Sequence, residues 1–179
     1  MACSPRLRCC QVGGVSRGRS LRLGHCPSGW WGSLLPPGPP AAAGAERLLR
    51  HLHTQGIPFC LATSSHKRHV ELKTTNHREV FALFDHQVTG CQVALGKPAP
   101  DIFLTAAQLW QPLPQPSSCL VFEDAPSGVE AARSAGMSSV MVPDPQLDPA
   151  LTTEADEVLS SLLQFQPERW GLPPFPGGP

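Results

Sequence analysis

The first 45 residues of this 179-residue chain contain not one aspartate or glutamate, although the whole chain balances fourteen acidic against fourteen basic side chains. That overall balance excludes a whole-chain electrostatic argument for nucleic acid or for a membrane surface. No run of about 18 apolar residues exists, which excludes a membrane-spanning helix. The start mixes Arg with Cys, Gly and Ser and lacks the apolar stretch of a secretory signal. CxxC spacing is missing too: Cys9 and Cys10 are adjacent, and no His pair follows at finger spacing, so no zinc site is expected. Seven cysteines make no disulfide framework. Cys60 and Cys119 lie inside apolar runs, where a reduced thiol acts as a small hydrophobe. A reducing, cytoplasmic setting is therefore expected. The Arg-rich, acid-free leader matches a mitochondrial transit peptide in composition, but its Gly and Pro content does not.

What is present falls into two unlike parts. Residues 1–40 end in Leu34-Leu35-Pro36-Pro37-Gly38-Pro39-Pro40, which cannot continue a helix and reads as extended linker. Trp30-Trp31 reads as exposed aromatics or a small binding patch. With no sustained period of two or 3.6, residues 1–40 are expected to form a disordered leader. Residues 41–175 are expected to form the folded core. Glu46 to Gln55 puts Leu48, Leu49 and Leu52 on one face and is closed by Gly56, which predicts an amphipathic helix. Ile57–Ala62, His86–Thr89, Cys119–Phe122 and Ser139–Val142 read as short strands. His77–Phe84 and Asp101–Leu109 read as helices. Ser127-Gly128-Val129-Glu130 has the spacing of a capping box opening a further helix that Gly136 ends. Apolar strands alternating with helices predict a Rossmann-like α/β fold, a parallel sheet with flanking helices.

In such sheets ligands bind beyond the carboxyl ends of the strands, and the unusual polar residues fall there. Thr63-Ser64-Ser65 follows the first of these strands and offers hydroxyls and backbone N–H groups to a phosphate, or simply caps a helix. Gly96-Lys97-Pro98 places a cation in a restricted loop, as a point charge for phosphate or as a solvated lysine. Glu123-Asp124 sets two carboxylates directly after a strand, suited to Mg²⁺ held through one or two oxygens plus water, or to a helix-start acidic cluster.

Together, and in this order, the stretches Gly56–Ser65, Gly96–Phe103 and Cys119–Ala132 resemble the later motifs of the haloacid dehalogenase-like phosphohydrolases. More narrowly, they and the ending Phe165–Pro173 are similar to the pseudouridine-5′-phosphatase group. The resemblance covers roughly residues 42–175 and implies a Mg²⁺-dependent phosphomonoesterase acting on pseudouridine 5′-phosphate or a similar small phosphate ester. It makes Thr63 the hydroxyl that hydrogen-bonds the transferring phosphoryl group, with Ser64 a neighbouring donor. Lys97 becomes the cation that balances phosphate charge. Glu123 and Asp124 become the metal-site acids, Asp124 the better direct ligand. Such a division suits phosphoryl transfer, which is mostly positioning and electrostatics.

The same resemblance demands an Asp-x-Asp ahead of Thr63, one aspartate as nucleophile and the other as general acid and base. Before Thr63 the only carboxylate side chain is Glu46, inside a predicted helix, and the first aspartate is Asp85. The catalytic pair is absent, and the chain is expected to be inactive. The family also places the strand bearing that pair in the middle of the sheet and inserts a helical cap after it. The expectation is therefore a partial core missing its first strand and cap, with an unfilled central slot, open edges and low stability. Two other readings stand beside this one: a phosphate-binding or regulatory protein pairing its open sheet edge with a protein partner, and a phosphatase completed by a partner chain.

Overall fold

A computed structural model of the chain describes residues 9–13, 41–74 and 78–177. Six parallel strands form its centre: β1 (Cys9–Gly13), β2 (Phe59–Thr63), β3 (His86–Thr89), β4 (Cys119–Glu123), β5 (Ser138–Met141) and β6 (Glu157–Val158). They lie side by side in the order β3-β2-β1-β4-β5-β6. The helices are α1 (Ala41–Thr54), α2 (Lys67–Thr74), α3 (Arg78–Phe81), α4 (Asp101–Ala107) and α5 (Pro126–Ser134). No separate helical cap occurs among the described residues, and none of their helices is long and apolar enough to cross a membrane.

Every residue of β2 and of β4 is buried, as expected of parallel strands covered on both faces. Successive side chains point to opposite faces, and the core divides accordingly. Phe59, Leu61, Leu120 and Phe122 face one layer with Leu48, Leu49 and Leu52 of α1 and with Leu162, Phe165 and Leu172 from the C-terminal segment. Cys60, Ala62, Cys119 and Val121 face the other, against Ile102 and Phe103 of α4 and Ala131 and Ala132 of α5. Cys60 and Cys119 are both fully buried. The small side chains on this second face let α4 and α5 sit close to the sheet.

The central slot is not empty, and here the sequence expectation is corrected. Cys9–Gly13, inside the presumed disordered leader, pairs with β2 on one side and β4 on the other. The edges expected to be open are therefore hydrogen-bonded. Five residues reading Cys-Cys-Gln-Val-Gly show too little alternation to announce a strand. Their order comes from two neighbouring ladders rather than from local preference. The rest of the leader lies outside the described residues, as does His77.

Smaller differences have local causes. The α1 helix begins at Ala41, five residues before the predicted Glu46, where its apolar face becomes visible. The α5 helix opens on Ala125 as N-cap, with Pro126 in its first turn and no side-chain cap. Proline with its fixed φ starts that helix, so the Ser127-to-Glu130 capping box is not used. The turn after α5 runs through Gly136 at φ 74°, a left-handed conformation that favours glycine.

Candidate functional site

The chain runs from β1 outward to β2 and β3, then returns to β4 on the other side of β1. This reversal is the switch point at which open α/β sheets bind ligands. The register fixes what meets there. Gly13 pairs with Ala62, and Val12 with Phe122, so Thr63 and Glu123 stand one residue further along on either side of the end of β1.

A cavity of about 530 Å³ opens at this point, lined by Ser64, His66, Gly90, Val93, Gly96, Lys97, Ile102, Glu123, Ala125 and Ser127. Three predicted site residues, Ser64, Lys97 and Glu123, thus share one cavity. Thr63 is buried and does not line it; its Oγ1 accepts a hydrogen bond from the Ser65 N–H at 3.1 Å. That contact is a local turn rather than the helix cap considered above, since α2 begins only at Lys67, and it leaves the Thr63 O–H to donate. The loop after β3 closes the cavity wall. Gly90 lies so near the Ser64 carbonyl that a Cβ there would stand 2.6 Å from the oxygen, so only glycine allows this approach. Opposite it, the His66 ring Nδ1 lies 3.0 Å from Cys91 Sγ. Neither His66 nor Gly90 carries a sequence signal of its own, since their roles depend on β2 and β3 ending side by side.

The Lys97 side chain is almost fully buried and reaches across the sheet ends. Its Nζ donates to Glu123 Oε1 and, at 3.3 Å, to the carbonyl of Ala62. The same ammonium sits 4.9 Å from the centre of the Phe103 ring, a favourable place for a cation. The bland reading of Lys97 as a solvated loop residue does not hold. A buried charge pair of this kind is costly to break, because a lone charge would remain in the interior.

The adjacent carboxylate has a different environment. Asp124 Oδ1 is buried without a hydrogen-bond partner among the described residues. Burial first, and then the neighbouring Glu123, push the Asp124 carboxyl up from 3.8 to about 7, with Lys97 opposing. Asp124 does not itself line the cavity, although Glu123 and Ala125 on either side of it do. Its orphaned, buried carboxylate oxygen fits a cation, and this is the residue the family resemblance favours as direct metal ligand. Glu123 is engaged by Lys97, and the described residues contain no group of three or more His, Cys, Asp or Glu side chains placed to hold a metal. The two acids therefore divide their work: Glu123 holds the lysine, and Asp124 keeps an oxygen unused. Glu46, the only carboxylate ahead of Thr63, is exposed on α1 and paired with Arg50 at 2.7 Å.

Comparison with known proteins agrees with this architecture. The profile of the haloacid dehalogenase-like hydrolases matches residues 39–136. A Drosophila melanogaster protein described as a "probable pseudouridine-5′-phosphatase" is 61% identical over 135 residues, covering 74% of this chain and 58% of its own. The mitochondrial (DL)-glycerol-3-phosphatase 1 of Arabidopsis thaliana is 57% identical over 135 residues, 74% of this chain and 45% of its own. Among solved structures, a haloacid dehalogenase-type hydrolase of Entamoeba histolytica superposes with a TM-score of 0.64 at 28% identity, over 72% of this chain and 58% of its own. The chain thus spans about half the length of the curated relatives it matches. With the profile over more than half of its residues and the switch-point cavity assembled from the matching motifs, the chain belongs to the haloacid dehalogenase-like hydrolase family.

Proposed function

We propose that these 179 residues keep the phosphate-holding half of a phosphomonoesterase site and do not hydrolyse the ester by themselves. One observation carries this reading: the strand filling the centre of the site, Cys9–Gly13, contains no carboxylate, while Ser64, Lys97 and Glu123 stand together beside its end. Ser64 and backbone N–H groups of its loop supply hydrogen bonds to phosphate oxygens, Thr63 adds its O–H, and Lys97 supplies the compensating charge. Glu123 orients Lys97. Asp124 would hold a Mg²⁺ ion, whose charge would help to neutralise the ester. Without a nucleophilic aspartate, no phospho-aspartyl intermediate forms, and these groups stabilise a bound ester rather than its breakdown. The ligand class is a small phosphate ester, with pseudouridine 5′-phosphate the first candidate because the relatives include a protein described as its phosphatase.

The test is calorimetric titration of the purified chain with pseudouridine 5′-phosphate, glycerol 3-phosphate and inorganic phosphate, with and without Mg²⁺, beside a phosphate-release assay. Saturable binding without release is expected, weakened by Lys97→Met. Mg²⁺-dependent release abolished by Asp124→Asn would overturn the inactive reading. Absence of binding by a folded sample would remove the phosphate-site reading altogether and leave a protein-interaction role.

A further inference from the structure

The Lys97–Glu123 pair depends on an absence in the helix that follows it. Glu123 ends β4, and α5 begins three residues later, so the helix's first turn lies directly against the carboxylate. A Cβ built on Gly128 would stand 2.1 Å from Glu123 Cδ and Oε2 and 2.6 Å from Oε1. All three separations fall below the 3.0 Å that real Cβ contacts respect. Gly128 is buried within α5 and has no left-handed φ to account for it. Glycine inside a helix is ordinarily a disadvantage, since alanine there is better by backbone entropy. Its presence here needs a packing reason, and the volume a methyl group would take is the volume the Glu123 carboxylate occupies.

The consequence extends to the lysine. Glu123 is 1% exposed and Lys97 6%, so a shift of either side chain disturbs a buried charge pair, and the space beside them is the cavity they line. A displaced Glu123 would take the acceptor from Lys97 Nζ and leave the ammonium with the Ala62 carbonyl and the Phe103 ring. We propose that Gly128 is a positioning residue: by lacking a side chain it seats Glu123 beneath α5, and through Glu123 it fixes Lys97 in the cavity. The link from Lys97 to phosphate rests on the functional reading above. The link from Gly128 to Glu123 and Lys97 does not.

The experiment compares Gly128→Ala in two backgrounds, the parent chain and a Lys97→Met/Glu123→Ala variant in which the pair is replaced by apolar groups. In the parent, Gly128→Ala is expected to lower the urea midpoint despite alanine's better helix preference. In the pair-less background it is expected to be neutral or stabilising. Lys97 is followed separately by amine acetylation and mass spectrometry, with exposed Lys67 as internal reference. Gly128→Ala is expected to raise Lys97 labelling about tenfold, through local opening, and a further Glu123→Asp, one methylene shorter, to restore protection. Should Gly128→Ala fail to fold, the two pair-less proteins still decide. A midpoint loss in the pair-less background, or in the parent no midpoint loss and unchanged Lys97 labelling, overturns the proposal. Phosphate titration of the same proteins keeps the two readings distinct: a parent that binds no phosphate removes the site reading, while the Gly128–Glu123 coupling is judged on midpoints and labelling alone.

Discussion

The strands β2 and β4 and the strand between them share direction, register and hydrogen-bonding, yet differ completely in the chemistry at their ends. β2 ends in Thr63 and leads into Ser64; β4 ends in Glu123 and leads into Asp124; β1 ends in glycine. A parallel ladder is made by backbone groups, so a sheet accepts a central strand whatever functional side chains that strand carries. Scaffold and chemistry are therefore separable here. On the function proposed above, the two flanking strands carry the parts of a phosphate site, and the middle one joins them without contributing a carboxylate.

The largest effect that would sharpen this contrast belongs to a flanking element. Lys97→Met leaves Glu123 as an uncompensated buried charge and is expected to cost about 3–5 kcal/mol, read as a lower urea midpoint at pH 7. Asp124 should behave in the opposite sense. Its folded-state pKa is about 7 against 3.8, so between those values the folded state holds a proton that the unfolded chain has released. Asp124 therefore takes nothing from stability below about pH 4, an increasing amount as pH rises to about 7, and a constant amount above. Asp124→Asn, measured in EDTA, is expected to stabilise the chain at pH 8 by at most about 4 kcal/mol, one pKa unit being about 1.4 kcal/mol. At pH 4 the gain should vanish, and an equal gain at both pH values would contradict the burial argument.

The middle strand offers the test that would break the comparison. Val12→Pro removes a ladder donor from a central strand and should cost about 3 kcal/mol or more. Unchanged stability would show that Cys9–Gly13 is not a member of the sheet. The smallest effect is expected at Glu46, paired with Arg50 one helical turn away on a solvent-exposed face. Glu46→Ala should cost no more than about 0.5 kcal/mol and leave phosphate binding unaltered, since no part of the cavity includes it.

Much of this was written in the chain. Fully buried strands such as Phe59–Thr63 and Cys119–Glu123 advertise themselves as continuous apolar runs, and polar residues at their ends mark the site. The Leu48, Leu49 and Leu52 face of α1 is equally plain. By contrast, β1 could not be read because five residues of mixed character derive their order from strands about 50 and 110 positions away. The α2 helix, reading Lys-Arg-His-Val-Glu-Leu-Lys-Thr, has little amphipathic signal, with Val70 its one buried anchor among the residues whose burial is described. β6 is only two residues long. In the site, Ser64, Lys97 and Glu123 were legible from motif order. The division of labour between Glu123 and Asp124, and the need for glycine at 128 and 90, follow from close approaches between segments distant in sequence, which spacing does not record.

The pairing of Cys9 with Cys119 also sets a schedule for synthesis. At about 5–20 residues per second, β1 leaves the ribosome about 5–20 seconds before the partner strand on its β4 side exists. During that interval it can be held only on the β2 side, with its other edge exposed to whatever chaperone or nascent chain lies nearby. A chain built this way completes its sheet late, after its central strand has waited with one edge unpaired.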